Sequence, residues 1–294
     1  YNSITIVVSD GGEDGVEPAI QILNLLVKPL SDLIIMNWSF SDRASLISYL
    51  GIPGDSSIVT LMEPLGTEAL ALIGEGVSAM QYSGGWIGSL QVIEPTSGYW
   101  LILDDEEPII PPVDYTIEAY PTDPDITYKL LEGQNLISYV GEDNIELDAA
   151  LPDDIELFIT SLIAQGEAAM RISNGLWIGS LTHWNILKGY WANVGLLDGD
   201  IETSDTLSFS FVNNSDLSRS KEVFLENKID NHEPTELKYV QSSSQAFYFV
   251  DEIILDNEQI NYGDWIVAYN NETIVGKRQW IGETIDIPVM GYDG

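Results

Sequence analysis

The sequence contains no cysteine, and only two of its 294 residues are histidine. The absence of cysteine excludes disulfides, thiolate zinc sites and cysteine nucleophiles. Lysine and arginine are also scarce, with 11 residues against 47 aspartates and glutamates, which gives a net charge of -36 at pH 7. We therefore expect no nucleic-acid partner, because neutralising phosphates requires clustered basic side chains. An anionic membrane surface would repel the chain for the same reason.

Long apolar runs are missing as well, since no stretch approaches the roughly 20 residues that span a bilayer, and we expect no membrane insertion. Hydrophobic residues nevertheless make up 45% of the chain, which is normal for a folded globular protein. The strong negative charge suits a salty medium, in which screening softens self-repulsion. The chain begins with Tyr1 and shows no signal peptide, so we interpret it as a processed product or a fragment of something longer.

The most informative feature that is present is an internal duplication. The string WIGSL occurs at 86–90 and again at 177–181, and each copy is followed a few residues later by Gly-Tyr-Trp. Upstream, LISYLG at 46–51 aligns with LISYVG at 136–141 with an offset of 90 residues. The second copy has one inserted residue before its WIGSL tryptophan, so the offset is 91 from that point on. So many identities in one order predict two tandem copies of a single module.

Each copy predicts a small, mostly β unit. LISYL, WIGSL and GYWLIL are typical of short strands, and EALALIGEGVSAMQYS indicates two strands broken at Gly74–Gly76. The stretch DSSIVTLMEPL predicts a short helix with Asp55 or Ser56 as its N-cap, and DNIELDAALPDD fills the same position in the second copy.

We therefore predict a mainly β (β-rich α+β) protein of two tandem homologous small modules followed by a C-terminal β-sandwich. The predicted divisions are an N-terminal β segment at 1–43, repeat module 1 at 44–104, a Pro-rich acidic linker at 105–127, repeat module 2 at 128–198 and a β-sandwich-like domain at 199–294. The first segment is either a small domain or a set of strands that complete the first repeat.

These strings resemble known modules. The order Leu-Ile-Ser, WIGSL and Gly-Tyr-Trp resembles a repeat of secreted and surface-displayed bacterial proteins and segments of marine phage structural proteins, although Gln134 stands where the bacterial repeat has its first tryptophan. The terminal GDWIVAY…VG…DIPVMG resembles a β module of secreted proteins from marine bacteria. The resemblance implies an extracellular architectural or adhesive role, and it carries over no catalytic residues.

Candidates for catalysis are few. Neither His183 nor His232 is flanked by a nucleophile motif, and the first copy has a non-titrating residue in place of His183, so we expect a structural or surface role there. Among the acids, Glu75 stands out in GEGV, but its repeat counterpart is Gln165, which cannot act as an acid. We interpret Glu75 as a solvated turn residue and expect no enzyme, no catalytic residue and no cofactor.

Two ligand types remain as hypotheses. A structural calcium ion is suggested by an acidic cluster that lacks EF-hand spacing and that a solvated linker would also produce, namely Asp198, Asp200, Glu202 and Asp205. A glycan is suggested by the eight tryptophans. We expect the four repeated ones to form module cores, whereas Trp184, which replaces a small aliphatic residue, is the better exposed candidate for a ligand contact.

Two functions follow as expectations. The first is a non-enzymatic extracellular structural or adhesion protein, as a section of a surface protein, a filament subunit, or a virion fibre or decoration protein. It would associate with itself through strand edges or with other surface or virion proteins. The alternative is a carbohydrate-binding accessory region of a larger secreted hydrolase.

Overall fold

In the computed structural model the chain consists mainly of antiparallel strands with a few short helices, which confirms the predicted β-rich fold class. The structure describes residues 33–83, 85–104, 109–173, 175–195, 206–212, 237–256 and 258–292, and also the backbone of three strands at 2–9, 20–27 and 222–224. No described helix is long and apolar enough to cross a membrane.

The first part of the chain begins with an antiparallel pair of strands and continues into module 1. Its elements are β1 (Asn2–Ser9), β2 (Ile20–Val27), β3 (Ile34–Phe40), β4 (Ala44–Ser48), β5 (Gly51–Ile52), α1 (Ile58–Met62), a 3-10 turn (Glu63–Leu65), β6 (Ala69–Gly74), β7 (Val77–Tyr82), β8 (Gly85–Gly88) and β9 (Gly98–Leu103). Strands β4-β9-β6-β7-β8 form one five-stranded sheet in that order.

Module 2 repeats this arrangement. The following elements are β10 (Val113–Pro121), β11 (Tyr128–Leu131), β12 (Gly133–Ile137), β13 (Ile145–Glu146), α2 (Leu147–Ala150), α3 (Asp153–Glu156), β14 (Ile159–Ala164), β15 (Glu167–Arg171), β16 (Trp177–Gly179), β17 (His183–Trp184) and β18 (Tyr190–Val194). The second five-stranded sheet has the order β12-β18-β14-β15-β16, which is the order of the first sheet.

The two sheets also share their register. Leu46 pairs with Trp100 in module 1, and the equivalent Leu136 pairs with Trp191 in module 2. Both sheets carry a register shift at the start of the strand that follows the helical segment, in β6 and in β14. The sequence repeat is therefore a repeat of backbone structure down to single strand pairs.

The helical segment starts with a side-chain cap in module 1. The N-cap of α1 is Ser57 and not Asp55 or Ser56, the two predicted residues, and its hydroxyl accepts a hydrogen bond from the Thr60 backbone N–H. Asp55 supports the same turn by accepting from the Ser57 backbone N–H at 2.9 Å and from the Thr60 hydroxyl at 2.8 Å. These hydrogen bonds hold the pKa of Asp55 below its ordinary value.

The last third of the chain contains β19 (Thr206–Phe209), β20 (Glu222–Phe224), β21 (Gln245–Val250), β22 (Ile254–Leu255), β23 (Glu258–Gln259), β24 (Trp265–Asn270), β25 (Thr273–Gln279) and β26 (Ile285–Met290). Antiparallel pairs join β21 with β26, β22 with β23, and β24 with β25. We call residues 237–292 the C-terminal region.

Two strands pair across the predicted divisions. The predicted linker at 105–127 contains β10, which pairs with β3 from Val113 to Ala119 and buries Tyr115 against Trp38. Strand β3 thereby completes module 1. The strand β19, assigned to the C-terminal domain, pairs instead with β11 of module 2, because Phe209 stacks on Tyr128 in that module's core.

Candidate functional site

The glycine of WIGSL allows the backbones of two neighbouring strands to approach each other closely. Gly88 and Gly179 both have positive φ values, 147° and 128°. A Cβ atom at Gly88 would overlap the carbonyl oxygen of Ser78, and one at Gly179 would overlap that of Ala168. Only glycine fits this backbone, so the motif glycine is a requirement of the fold.

The serine and leucine of WIGSL complete the same connection. The Ser89 hydroxyl accepts a hydrogen bond from the Ser78 backbone N–H at 3.2 Å, and the Leu90 N–H donates to the Ser78 carbonyl at 3.0 Å. In module 2 Ser180 and Leu181 make the same two hydrogen bonds to Ala168. Both leucine side chains are buried.

The tyrosine of Gly-Tyr-Trp fixes a loop in each module. The Tyr99 hydroxyl accepts from the Glu94 backbone N–H at 2.7 Å, and the Tyr190 hydroxyl accepts from the Asn185 N–H at the same distance. Burial raises the pKa of both tyrosines above the ordinary value. The repeated tyrosine is thus a neutral, buried packing residue.

The two modules meet along a reciprocal contact that we call the inter-module seam. It is formed by Leu46–Ser48 and Pro95–Gly98 of module 1 with Leu136–Ser138 and Leu187–Gly189 of module 2. Ile47 pairs with Lys188, and Ser97 pairs with Ile137. These are the same contact made twice, as in a two-fold interface where residue i meets j and j meets i.

Hydrogen bonds across the seam follow the same two-fold pattern. The Ser48 N–H donates to the Leu187 carbonyl and the Ser138 N–H to the Thr96 carbonyl, each at 3.0 Å. The hydroxyls of these two fully buried serines donate, at 2.7 Å each, to carbonyls of the opposite module. The repeated Leu-Ile-Ser is therefore the motif that joins the modules.

Glu75 and Gln165 occupy equivalent positions in the seam. The Glu75 carboxylate accepts from the Leu136 N–H at 2.8 Å, and the Gln165 side-chain oxygen accepts from the Leu46 N–H at 3.0 Å. Glu75 is an exposed turn residue, as expected, and its carboxylate has a second role that the sequence did not indicate. It satisfies a backbone donor of the other module, and a glutamine can do the same because both offer an acceptor oxygen.

The amide of Gln165 makes one contact that Glu75 cannot. Its nitrogen donates to the Asp42 carboxylate at 2.9 Å. Burial raises the pKa of Asp42, and the hydrogen bond from Gln165 partly offsets that rise. The seam is therefore symmetric in its backbone and asymmetric in its charge.

The repeated tryptophans pack as module residues. Trp100 is buried and Trp191 half-buried in an apolar cluster around the seam leucines, Leu46 and Leu136. Trp86 and Trp177 are half-buried against the main core, and the Trp177 indole N–H donates to Glu156 at 2.6 Å.

The expectation that Trp184 is exposed is wrong. Its side chain is 0% exposed, stacks on Tyr139 at 5.3 Å and donates its indole N–H to the Leu147 carbonyl at 3.1 Å. It therefore cannot stack on a ligand at the surface. The signal that could have revealed this is its repeat counterpart, Ile93, an apolar residue that is also buried.

The other predicted site residues divide into described and undescribed ones. The calcium candidates Asp198, Asp200, Glu202 and Asp205 lie outside the described residues, as does His232. His183 is half-buried and its Nδ1 lies 2.8 Å from the Thr182 hydroxyl. Within the part of the chain that the structure describes, no three acidic or histidine side chains cluster as metal ligands.

A pocket of about 490 Å³ lies between β5, the segment before β9 and the end of β10. Prolines dominate its lining, with Pro53, Pro95 and Pro121 around Tyr120. Asp123 is the single carboxylate among the lining residues, and it accepts a hydrogen bond from the Asp125 N–H at 3.0 Å. Two opposed carboxylates, as glycoside hydrolysis needs, are not among the residues that line it.

The C-terminal region contacts module 2 through a buried ion pair. The fully buried Asp286 carboxylate lies 2.8 Å from the Arg278 guanidinium. It also accepts from the Ser180 hydroxyl at 2.9 Å and from the Ser180 N–H. Arg278 donates onward to the Gly166 carbonyl at 2.7 Å. These residues are distant in sequence, so motif reasoning did not find them.

A glutamine completes this contact. The Gln245 amide donates to the Ala164 carbonyl at 2.9 Å and accepts from the Gly166 N–H at 3.2 Å. Together with Gly179, which faces Phe249, the groups on module 2 form what we call the module 2 acceptor, namely Ala164, Gly166, Gly179 and Ser180. The two charged groups at this contact, the Asp286 carboxylate and the Arg278 guanidinium, are paired with each other, as burial requires.

Comparison with known proteins adds no relative. No protein-family model matches the chain, and no curated protein and no solved structure is significantly similar to it. The class that the geometry defines is a mainly β protein with an internally duplicated module joined by a two-fold seam.

Proposed function

We propose that the protein is a non-enzymatic extracellular structural or adhesion protein, acting as a section of a surface protein, a filament subunit, or a virion fibre or decoration protein. One observation carries the proposal: the repeated serine of Leu-Ile-Ser and the repeated tyrosine of Gly-Tyr-Trp are used for packing and for joining the modules. Ser48, Ser138, Tyr99 and Tyr190 are all buried and hydrogen-bonded to backbone groups. A binding site built from these four residues would instead present them to solvent.

The seam supports a role in rigid display. It joins the modules by backbone pairing, buried hydroxyls and an apolar cluster, so that they pack as parts of one core. Strand β8 lies at the end of its sheet order, and an edge strand offers unpaired backbone groups for β-augmentation between subunits. A stiff unit with such an edge is suited to repetitive assembly.

Charge supports an extracellular and salty setting. A net charge of -36 destabilises a compact chain because its like charges repel each other. Dissolved salt weakens this repulsion, with a screening length of about 8 Å at physiological ionic strength. We expect the melting temperature to rise with sodium chloride concentration, as differential scanning fluorimetry would show. The same charge argues against nucleic-acid partners.

A carbohydrate-binding accessory region is the second candidate, and exposed tyrosines favour it. Tyr248, Tyr262 and Tyr269 of the C-terminal region present much of their rings to solvent, and flat aromatic rings can stack on sugar faces. Trp184, the residue first expected to contact a glycan, is buried and therefore does not support this second function.

Imaging and glycan binding separate the two candidates. We expect negative-stain images of native material to show the chain in ordered fibres or on a cell or virion surface, and we expect the purified full chain to bind nothing on a glycan array. A monomeric chain with saturable glycan binding would overturn the proposal. In that event, loss of binding in Tyr262→Ala but not in Ile110→Ala would locate the site, because Tyr262 and Ile110 are 80% and 81% exposed.

A further inference from the structure

Module 1 carries an uncovered copy of the module 2 acceptor. The repeat offset places Gly74, Gly76, Gly88 and Ser89 in the positions of Ala164, Gly166, Gly179 and Ser180, and we call these four residues the module 1 acceptor. The local backbone is the same, because Gly76 and Gly166 both have a φ of 68° and the serine hydroxyls accept equivalent hydrogen bonds. Within the described residues, Ser89 is exposed whereas Ser180 is covered by Asp286.

The groups of module 2 that bind Asp286, Arg278 and Gln245 recur in this acceptor. Asp286 binds the hydroxyl and N–H of Ser180, and Ser89 offers both groups. Arg278 and Gln245 bind backbone atoms of Gly166 and Ala164, which any residue supplies. The Ser180 side chain, which module 2 contributes to the contact with Asp286, has its counterpart in Ser89 of module 1.

Strands β7 and β8, which flank the module 1 acceptor, carry exposed apolar and aromatic side chains. Met80 and Ile87, which pair across β7 and β8, are 57% and 58% exposed, and the nearby Tyr82 is 71% exposed. Their counterparts Met170, Ile178 and Ile172 are only partly exposed, and strands β15 and β16 contact β26. A contiguous apolar surface of this kind marks an interaction site more often than an isolated residue does.

We propose that the module 1 acceptor binds the C-terminal region of a second copy of this chain, with Asp286, Arg278 and Gln245 of that copy making the contacts seen on module 2. The donor and acceptor surfaces differ, so the contact is heterologous and propagates head to tail. This inference rests on the proposed structural function. It adds the partner, which is a second copy of the chain, and the two surfaces that would join the copies.

Docking within one chain competes with this exchange. A tethered domain sees its own acceptor at an effective concentration on the order of millimolar. A dilute chain therefore stays closed on module 2, and exchange becomes favourable when chains are crowded on a surface or when the module 2 acceptor is blocked.

A charge placed at each acceptor tests the proposal in the full chain. Ser180→Glu sets a carboxylate against Asp286 and frees the C-terminal region, so we expect concentration-dependent association in sedimentation well below the roughly millimolar range that protects the wild-type chain. The double variant Ser89→Glu/Ser180→Glu lacks both acceptors and should be monomeric, while Ser89→Glu alone should match wild type. Equal association of the single Ser180 variant and the double variant would overturn the proposal, and so would a monomeric Ser180→Glu.

Disulfide capture is a second test of the contact, and it traps the moments when the C-terminal region is released and residue 286 can reach a second chain. Because the chain has no cysteine, one chain carrying Ser89→Cys can be mixed with another carrying Asp286→Cys under mild oxidation. We expect a mixed disulfide dimer at a rate at least severalfold above that of the control pair Thr67→Cys with Asp286→Cys, since Thr67 is equally exposed but outside the acceptor. The intrachain pair Ser180→Cys/Asp286→Cys calibrates the geometry. Equal capture by Ser89→Cys and Thr67→Cys contradicts the proposal but leaves the structural function intact, which only glycan binding by a monomer would overturn.

Discussion

Module 1 and module 2 have the same sheet order and the same seam contacts, yet they are completed differently. Module 1 is closed by β3 and β10, which bring Trp38 and Tyr115 against Tyr49. Module 2 is closed by β11 and β19, and its own Trp184 packs against the equivalent Tyr139. The same duplicated sheet is thus packed against different strands in the two modules. The buried tyrosine, Tyr49 or Tyr139, has an aromatic neighbour in both modules, but that neighbour comes from a different strand in each.

The difference also separates residues by purpose. Positions that agree between the modules, such as Gly88 with Gly179 and Ser48 with Ser138, maintain the backbone and the seam. Positions that differ, such as Ile93 with Trp184, adapt each core to its own covering strands. Variants made at matched positions can therefore test which similarities are structural requirements.

The largest expected effect is at the position where the cores differ most. Trp184→Ala removes a fully buried indole and its hydrogen bond, and should lower the free energy of unfolding by about 3–5 kcal/mol. Ile93→Ala should cost about 2–4 kcal/mol, because a smaller side chain leaves a smaller cavity. Urea titrations followed by circular dichroism measure both, and a Trp184→Ala cost under about 1 kcal/mol would contradict the burial.

The next effect tests why WIGSL contains glycine. Gly88→Ala places a Cβ against the Ser78 carbonyl in a left-handed backbone, and should cost about 3 kcal/mol. Gly76→Ala also needs a positive φ but meets open space, so a cost of about 1 kcal/mol is expected. Thermal unfolding of the two variants compares them, and equal losses would show that backbone strain alone, without the overlap, sets the cost.

A smaller effect comes from exchanging the two seam acceptors. Gln165→Glu loses the hydrogen bond to Asp42 and sets two carboxylates together, so the loss should be about 2 kcal/mol. Glu75→Gln keeps an acceptor for the Leu136 N–H, and its cost should stay under about 1 kcal/mol. Unfolding midpoints at neutral pH provide the measurement, and the reverse order of costs would contradict the asymmetry of the seam.

The smallest effect is a pH dependence that comes from Asp42, beside Gln165 at the seam. Because burial raises the pKa of Asp42 above its ordinary value of 3.8, the folded state binds that proton more tightly than the unfolded chain does. The stability that this provides is present at low pH and is lost as the pH rises through the raised pKa. Asp42→Asn keeps an acceptor for Gln165 and removes the loss.

Stability curves across that pH range measure this difference. The variant should be slightly more stable than wild type at neutral pH, and the gain should vanish in acid. The exposed Asp114→Asn serves as the matched control. A gain for Asp42→Asn that persists unchanged at low pH would exclude a titration of this carboxyl.

Sequence reasoning found the strands and the repeat because both are local patterns. Hairpin turns at Gly76 and Gly166, and the strands on either side of them, follow from alternation and glycine spacing. Strand β10 was missed although VDYTIEAYP alternates, since its flanking prolines and acids favoured a linker. The burial of Trp184 was not predicted because the prediction relied on the difference in size between Trp184 and Ile93. The property that the two residues share, an apolar side chain, indicates burial at both positions.

The seam and the acceptor could not be predicted for a different reason. Glu75 and Leu136 lie 61 positions apart, and Ser180 and Asp286 lie 106 apart, so no local pattern relates them. Their partners are in part backbone groups, which leave no mark on residue type. Such contacts become visible only when the whole chain is folded.

The reciprocity of the seam has a consequence for the ancestry of the chain. A lone module would display both halves of the contact and could pair with an identical neighbour, so doubling the gene converts a ready-made homodimer into a single polypeptide. In a homodimer every substitution acts on both sides at once. After fusion each side of the seam can change independently. Glu75 and Gln165 are an example of such a change, because they occupy equivalent positions but only Gln165 has Asp42 as a neighbour.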